Sequence, residues 1–268
     1  MKAGIAHDRS SPGASSTSDL SGWCRIGGIA AWVLIVYSLA TIVQLVVLGG
    51  QPATANEAFS LLQQSRLVGL LRLDLPTIVA MPLYYFLFLG LFASLRRVDR
   101  ANATLSLALA FAGVTLILAT PTALSMIPLS DKFAAATTEA MRTQFRAAGE
   151  ALLATDIWHG TGAIMGAVLL QSGAVLISVV MLHSGIFGRA TAYVGIVTHG
   201  LDLAHIVLMP FLPVFGAVLM AVAGPIYPIW FLLVGRRLLQ LSRTGSTGRN
   251  YSTAAGHGEP PESSALPG

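Results

Sequence analysis

LPTIVAMPLYYFLFLGLFASL, the segment from Leu75 to Leu95, carries no charge, and the basic run Arg96–Arg100 follows it directly. An apolar run of more than about 18 residues is long enough to cross the hydrocarbon core of a bilayer as a helix. Arginines at the end of such a run are typical of the cytoplasmic border of a membrane. The segment therefore predicts a transmembrane helix.

Five further segments are apolar runs of similar length. Only 10% of the residues are charged and 54% are hydrophobic, whereas soluble domains carry about 25% charged residues. A water-soluble fold could not cover this much apolar surface. We therefore predict an all-α, polytopic transmembrane bundle of about six helices. The other five spans are Ile26–Gly49, Thr104–Ile127, His159–Leu182, Thr191–Met209 and Gly216–Val234.

Prolines indicate where these helices break. Pro121 should interrupt the third span and Pro128 should end it, because proline lacks the N–H group that an α-helix needs. Pro210 and Pro213 predict a tight turn between the fifth and sixth spans. The run Gly224–Pro228 predicts a kink in the sixth span.

The remaining segments divide into two tails and two short outer elements. Residues 1–22 and 244–268 are polar and are expected to be disordered cytoplasmic tails of a transmembrane domain formed by residues 23–243. Asn56–Leu71 is expected to lie in the outer interface. The segment 138–153 predicts an amphipathic outer helix.

At about 100° of rotation per residue, this amphipathic helix has one apolar face and one charged face. Arg146 and Glu150 are spaced to pair across one turn. We expect the helix to lie on the outer membrane surface or to cap the bundle, and the alternative is a solvated connector without a role. The apolar face holds Met141, Phe145, Ala148 and Leu152, and the charged face holds Glu139, Arg142, Arg146 and Glu150.

The distribution of basic residues predicts the orientation. Of the 16 Lys and Arg residues, eleven fall on the side of the N-terminus and five on the other side, which predicts that both termini are cytoplasmic. The Arg-, Ala- and Gly-rich composition is typical of bacteria, so we expect the plasma (inner) membrane. The lipid bilayer is the expected partner, and the scattered charges predict no nucleic-acid partner. The sequence identifies no protein partner.

The fifth span carries the most conspicuous polar residues. Gly195, Thr198, Asp202 and His205 fall on one stripe of this helix. An acid at the centre of a span costs about 2.5–3.5 kcal/mol on insertion, so Asp202 should face the bundle interior or water. Together with the adjacent His199, the stripe is a candidate proton relay, metal site or ligand pocket. A polar clasp between helices is the alternative.

Arg72 and Asp74 open the second span. Asp74 can cap this helix, with Pro76 in the first turn, which leaves Arg72 in the interface. The alternative is that Arg72 pairs with Asp202, since both are expected in the outer half of the membrane.

The fourth span begins with a similar polar group. Asp156 is expected to cap this helix, which places Trp158 and His159 at the outer interface, and Gln171 lies deeper in the span. Polar residues therefore gather in the outer half of several helices and predict a vestibule there.

Common enzyme motifs do not occur in the sequence. It contains no G-x-S-x-G, H-E-x-x-H, Walker or paired C-x-x-C motif, and the lone Cys24 cannot form an internal disulfide. His199 and His205 are six residues apart, unlike the i, i+4 pair that chelates one metal. Haem held by His159 and His205 is one possibility.

Several of these residues together resemble an uncharacterised bacterial membrane family, domain-of-unknown-function family 4386. The resemblance covers about Arg25–Leu239 and implies the six-helix fold without an established activity. A common form of the family has proline before the arginine of the loop between spans four and five, where this chain has Gly188. The resemblance rests on the span count and on Arg72, Asp74, His159, Phe187, Arg189, Gly195 and Asp202.

These features favour a non-enzymatic membrane protein. It would be an interaction component or would bind a small or lipidic ligand in an outward-facing pocket. One alternative is a transporter or permease. Another is a membrane-embedded haem or metal enzyme that uses His159, His199 or His205. The sequence identifies no cofactor.

Overall fold

The computed structural model describes the backbone of residues 13–255 and the side chains of residues 20–244. These residues form eleven α-helices and one 3₁₀ turn, and no strand occurs among them. The helices are α1 (Gly13–Leu48), α2 (Ala55–Gln64), α3 (Arg66–Arg72), α4 (Leu75–Leu95), α5 (Arg100–Leu118), α6 (Ala123–Ala135), α7 (Glu139–Leu153), α8 (Thr161–Ser184), α9 (Arg189–Leu208), α10 (Pro213–Ala223) and α11 (Tyr227–Ala255). The 3₁₀ turn, Gly224–Ile226, lies between α10 and α11.

Six stretches of helix are long and apolar enough to cross a membrane, which confirms the predicted all-α six-helix bundle. The second span begins and ends at the residues predicted, and the predicted kink of the sixth span is the 3₁₀ turn. The six stretches are Leu20–Leu48, Leu75–Leu95, Arg100–Ala135, Thr161–Ser184, Arg189–Leu208 and Pro213–Thr244.

The predicted tails overlap the described backbone in part. Helix α1 begins at Gly13, inside the predicted tail 1–22, and α11 continues to Ala255, inside the predicted tail 244–268. The remainder of both tails lies outside the described residues.

The long helices form a ring in which each packs on the next. The order is α1, α4, α5, α8 and α9, and the sixth span closes the ring because α10 packs on α9 while α11 packs on α1. Glycines bring some backbones into direct contact. A Cβ atom at Gly113 of α5 would lie 2.5 Å from the carbonyl oxygen of Gly166 and 2.6 Å from the backbone nitrogen of Leu170, both on α8.

Four short helices, α2, α3, α6 and α7, pack together at one end of the bundle, and we call them the cap. Their own hydrophobic core contains Phe59 of α2, Met126 of α6 and Leu153 of α7. Gly149 of α7 permits the close packing, because a Cβ atom there would lie 2.7 Å from the Cβ atom of Ala55. We call the opposite end the basic end, where Arg96, Arg97, Arg100, Arg189, Arg236 and Arg237 lie.

The third span differs from the prediction at its second proline. Helix α5 stops at Leu118, next to Pro121 as expected, but α6 then runs through Pro128 to Ala135. Pro128 is the sixth residue of α6, so it removes only one helical hydrogen bond near the start of the helix. Burial of α6 against α2 and α7 offsets that loss.

The amphipathic helix forms as predicted, but its buried face is rotated. Helix α7 is capped by Thr138, whose hydroxyl oxygen accepts a hydrogen bond from the backbone N–H of Met141. The side of α7 that carries Gly149 and Leu153 is buried, whereas Met141 and Ala148 are exposed. The predicted apolar face is therefore wrong in part, because α7 packs against α2 and α6 through the side that carries Gly149 and Leu153.

The predicted ion pair within α7 is also wrong. Arg146 donates to the side-chain oxygen of Asn56 at 2.9 Å and lies 3.7 Å from the Glu139 carboxylate. Glu150 instead accepts a hydrogen bond of 2.8 Å from the backbone N–H of Ala55. Both side chains thus connect α7 to the start of α2. These contacts form where α7 packs against α2.

Candidate functional site

A buried group of polar and aromatic residues joins three spans near their middle. Helix α8 contributes Gln171, α9 contributes His199 and Asp202, and α11 contributes Tyr227 and Trp230. We call these five residues the central cluster. Tyr227 follows directly after the 3₁₀ turn, so the break in the sixth span places its side chain beside α8 and α9.

The Gln171 amide connects the polar members of the central cluster. Its nitrogen donates to Asp202 Oδ2 at 2.6 Å and to the Tyr227 hydroxyl at 2.9 Å. Tyr227 also donates its hydroxyl proton to Asp202 Oδ2 at 2.6 Å. His199 Nδ1 lies 2.7 Å from the Gln171 oxygen. One amide therefore uses all its hydrogen-bonding groups to hold a histidine, a carboxylate and a phenol together.

This arrangement determines the proton position on His199. The Gln171 oxygen can only accept, so His199 Nδ1 must donate the proton of that hydrogen bond. In the neutral ring His199 Nε2 then carries a lone pair and can accept. The cluster therefore presents a hydrogen-bond acceptor at this nitrogen.

Two buried nitrogens of the central cluster have no hydrogen-bond partner among the described residues, His199 Nε2 and Trp230 Nε1. The first is an acceptor and the second carries an N–H donor. Their rings lie 4.4 Å apart, centroid to centroid, and nearly perpendicular. Buried polar groups are nearly always paired in native proteins. An unpaired donor and an unpaired acceptor on two adjacent rings therefore mark a region where a further hydrogen-bonding group would be stabilised.

Asp202 also has a side-chain oxygen without a hydrogen-bond partner among the described residues. Its Oδ2 atom accepts two hydrogen bonds, but Oδ1 accepts none from the residues that the structure describes, and the residue keeps 8% of its surface exposed. None of the ion pairs within the described part of the chain involves this carboxylate. The acid deepest in a span is thus held only by uncharged donors.

Gly195 explains how the three helices come so close. A Cβ atom at this position of α9 would collide with Ser178 Oγ of α8 and with Trp230 Nε1 of α11. Ser178 itself donates to the carbonyl oxygen of Ala174 at 2.8 Å, one turn back on α8. The absence of a side chain at Gly195 therefore makes room for the Trp230 indole.

No protein-family model, curated protein or solved structure matches the chain. The function must therefore be inferred from the chemistry of the central cluster and its surroundings.

Two other residues of the predicted stripe do not join the cluster. The Thr198 hydroxyl donates to the Val194 carbonyl oxygen at 2.7 Å within α9. His205 Nδ1 lies 2.9 Å from the carbonyl oxygen of Gly216, so this ring connects α9 to α10. The stripe predicted that Asp202 faces the bundle interior, but the neighbouring helices determine the partner of each residue.

Arg72 does not pair with Asp202, so that alternative is wrong. Its guanidinium donates to the Glu57 carboxylate and to the Gly50 carbonyl oxygen, each at 2.8 Å. These contacts connect the end of α3 to α2 and to the loop that precedes α2. The physical reason is that Arg72 precedes α4 and lies in the cap, where a nearer carboxylate is present.

Asp74 caps a helix, but not the one that was predicted. Its side chain makes no capping bond to α4, although Pro76 is in the first turn of that helix. It instead accepts from the Thr122 backbone N–H at 2.5 Å, the Thr122 hydroxyl at 3.0 Å and the Ala123 backbone N–H at 2.9 Å. Asp74 is fully buried and therefore anchors the start of α6 on the start of α4.

His159 lies in the turn before α8, and its side chain is 65% exposed. The Asp156 Oδ1 atom accepts from the His159 backbone N–H and lies 2.9 Å from His159 Nδ1. Asp156 Oδ2 accepts from Gln51, so this carboxylate organises the turn and does not cap α8, whose first residue is Thr161. The contacts of His159 are separate from those of the central cluster.

Metal and haem sites find little support in the side-chain positions. Within the described residues, no three His, Cys, Asp or Glu side chains come together in a way that could hold a metal ion. The two histidines considered as haem ligands have other partners. His159 Nδ1 contacts the Asp156 carboxylate, and His205 Nδ1 contacts the Gly216 carbonyl oxygen.

Two surface cavities lie at the start of α5, toward the basic end. The larger, about 640 Å³, is a shallow depression beside Arg100 and Thr104. The smaller, about 350 Å³, lies between Asp99, Asn102 and His183. Hydrogen bonds from the backbone N–H and the side-chain amide of Asn102 lower the pKa of the Asp99 carboxyl. This acid is therefore charged at neutral pH.

Tyr227 and Trp230 were not predicted as site residues from the sequence. Aromatic residues are common in spans and carry no signal of their own. The only available hint was the Gly224–Pro228 run, which marks a break where a side chain leaves the regular helical pattern.

Proposed function

We propose that the chain is a multi-pass plasma-membrane protein that binds a small ligand at the central cluster and has no enzymatic activity. Six apolar helices support the membrane assignment, and the excess of basic residues on one side supports cytoplasmic termini. The similarity to domain-of-unknown-function family 4386 remains part of this proposal.

The observation that carries the proposal is the pair of buried, unpaired nitrogens, His199 Nε2 and Trp230 Nε1. Leaving a buried polar group unpaired costs about 1–3 kcal/mol. A ligand group that both donates and accepts, such as a hydroxyl or an amide, would offset this cost at both nitrogens. Gln171 already fixes the positions of His199 and Asp202 through hydrogen bonds, so less side-chain ordering would be needed when a ligand binds.

Transport is the second candidate, and the broken sixth span favours it. Discontinuous helices at a polar site near the middle of a membrane are typical of secondary transporters. Here the 3₁₀ turn at Gly224–Ile226 lies directly before Tyr227. Uptake of the ligand into proteoliposomes, once the ligand is known, would distinguish a transporter from a binding protein.

The experiment that tests binding uses the matched pair Trp230→Phe and Trp158→Phe. Trp158 lies in an exposed turn before α8, so its substitution leaves the central cluster intact. Each protein is purified in mild detergent, extracted with organic solvent and analysed by mass spectrometry. We expect a small molecule that wild type and Trp158→Phe retain equally and that Trp230→Phe loses. Equal retention by all three proteins, or no retained molecule in wild type, would contradict the proposal.

A further inference from the structure

The smaller of the two surface cavities lies where the start of α5 meets the end of α8, and its volume is about 350 Å³. One part of its wall is polar and the other is apolar. The polar part holds Asp99, Asn102 and His183, and the apolar part holds Leu176, Val179 and Val180. The cavity therefore suits a small polar group that also carries methylene groups.

Each of the three polar side chains offers a hydrogen-bond acceptor. The two Asp99 oxygens accept one bond each from Asn102, and a carboxylate oxygen has a second lone pair. Because the Asn102 amide nitrogen is the donor in one of these bonds, its oxygen remains an acceptor. The Val179 carbonyl oxygen can only accept, so His183 Nδ1 donates to it at 3.1 Å, and His183 Nε2 can accept in the neutral ring.

The Asp99 carboxylate also carries a charge that no partner neutralises within the described part of the chain. None of the ion pairs there involves Asp99, although Arg100 is the next residue. Carboxylates bind most strongly to cations that donate hydrogen bonds to them. A primary ammonium group has three N–H donors, so it matches an acid with two further acceptors beside it.

The shallow depression on the neighbouring face of α5 provides the opposite charge. Arg100 lies at its membrane border, and Thr104, Leu105 and Ala108 follow one and two turns further into the span. Arg100 is exposed and forms no ion pair with a described residue. Guanidinium groups bind phosphate well, and the apolar residues beyond it can contact a hydrocarbon chain. A cation site and an anion site thus flank the same turn of α5.

We propose that the start of α5 binds an ethanolamine phospholipid, whose ammonium group lies between Asp99 and His183 and whose phosphate contacts Arg100. The acyl chains then follow Leu105 into the bilayer. A basic membrane border alone would attract any anionic lipid. The acid and its neighbouring acceptors instead favour a headgroup with N–H donors. This site lies at the basic end, so the proposal does not depend on ligand binding at the central cluster.

The test is native mass spectrometry of the full chain, titrated in detergent with three lipids that have identical acyl chains. The lipids are phosphatidylethanolamine, phosphatidylcholine and phosphatidylglycerol. Phosphatidylcholine keeps the phosphate and the positive charge but has no N–H donor, and phosphatidylglycerol lacks the cation. We expect wild type to bind phosphatidylethanolamine about tenfold more tightly than either of the other two lipids.

Three variants separate the ammonium contact from the phosphate contact. Asp99→Asn removes the charge but keeps a good capping residue for α5, so it should fold and bind phosphatidylethanolamine and phosphatidylcholine equally. Arg100→Gln should weaken the binding of both lipids by the same factor, because both carry the phosphate. Asp131→Asn is the control, since it removes an exposed acid of the cap, and it should leave all affinities unchanged.

Equal binding of phosphatidylethanolamine and phosphatidylcholine by wild type would overturn the proposal, and this comparison depends on no variant. Tightest binding of phosphatidylglycerol would show general attraction to the arginines and would also overturn it. So would an ethanolamine preference that survives in Asp99→Asn. Glycerophosphoethanolamine, which lacks acyl chains, should not displace the lipid at an equal concentration. Displacement would show that a soluble phosphoethanolamine, and not a lipid, is the ligand of this site.

Discussion

Single buried polar residues connect the parts of this protein, and Asp74 is the clearest case. Its carboxylate holds three hydrogen bonds at the start of α6 and is completely buried. Asp99 performs a similar capping role at the surface, where it accepts from the Asn102 backbone N–H. The same residue type therefore makes the same kind of bond in two environments, and burial decides how much each bond contributes.

We expect Asp74→Ala to destabilise the cap by about 2 kcal/mol or more, because it leaves two backbone N–H groups and a hydroxyl unpaired in a buried site. Asp99→Ala is the matched control and should cost less, since water replaces the lost bond. Thermal unfolding in detergent measures both effects. Equal losses of stability would show that the buried hydrogen bonds of Asp74 contribute no more than the exposed bond of Asp99.

The residues of the central cluster were predictable only in part. Asp202 and His199 stand out because polar side chains are rare and costly inside spans. The sequence does not show that Gln171 lies between them, since that contact depends on how α8 packs on α9. The one signal for Tyr227 was the Gly224–Pro228 run that contains it, because the position of its side chain depends on the break in the sixth span.

At the scale of the element, hydrophobic runs predicted the spans well and packing faces poorly. The Leu75–Leu95 helix was predicted to the residue because both ends carry charge or proline nearby. The face of α7 was misjudged because periodicity reports polarity, whereas α7 uses Gly149 to approach α2 closely. Close helix contacts depend on small residues, which hydrophobic periodicity does not single out.

Cysteine labelling tests the packing of α7. In a Cys24→Ala background, we expect Arg142→Cys and Ala148→Cys to react quickly with an impermeant maleimide, because both positions are exposed. Leu153→Cys should react slowly, because it faces the core of the cap. Similar rates at all three positions would mean that α7 is not packed on α2 and α6.

The contact between α5 and α8 is tested by Gly113→Ala, with Gly200→Ala as the matched control. A Cβ atom at Gly113 would collide with the backbone of α8, whereas at Gly200 it would have no atom within 4 Å. We expect Gly113→Ala to lower the thermal stability. Gly200→Ala should raise the stability by up to about 1 kcal/mol, because alanine favours helix more than glycine does. A neutral Gly113→Ala variant would contradict the close contact.

At the scale of the whole molecule, the fold separates into a bundle and a cap. Six spans and their order follow from the sequence, whereas the cap requires α6 to continue through Pro128 and could not be predicted from proline rules. The different packing of the two halves of the sixth span also escaped prediction, because α10 and α11 form one hydrophobic run in the sequence and differ only in their neighbours.

Reporter fusions test the orientation. Because eleven of the basic residues lie on one side, we expect fusions after Arg100, Gly188 and Arg243 to be cytoplasmic. Fusions after Gly49 and Ala135 should be external. A cytoplasmic reporter after Ala135 would place the cap on the cytoplasmic side and reverse the proposed topology.

We propose that the central cluster is a ligand site, formed by Gln171, His199, Asp202, Tyr227 and Trp230. A high-resolution cryo-electron microscopy map of the wild-type protein in nanodiscs made from native lipids tests it most directly. We predict density outside the protein within hydrogen-bonding distance of both His199 Nε2 and Trp230 Nε1, weakened or absent in Trp230→Phe. A map in which these two nitrogens bond to each other or to protein groups, with no additional density, would show that the central cluster is not a ligand site.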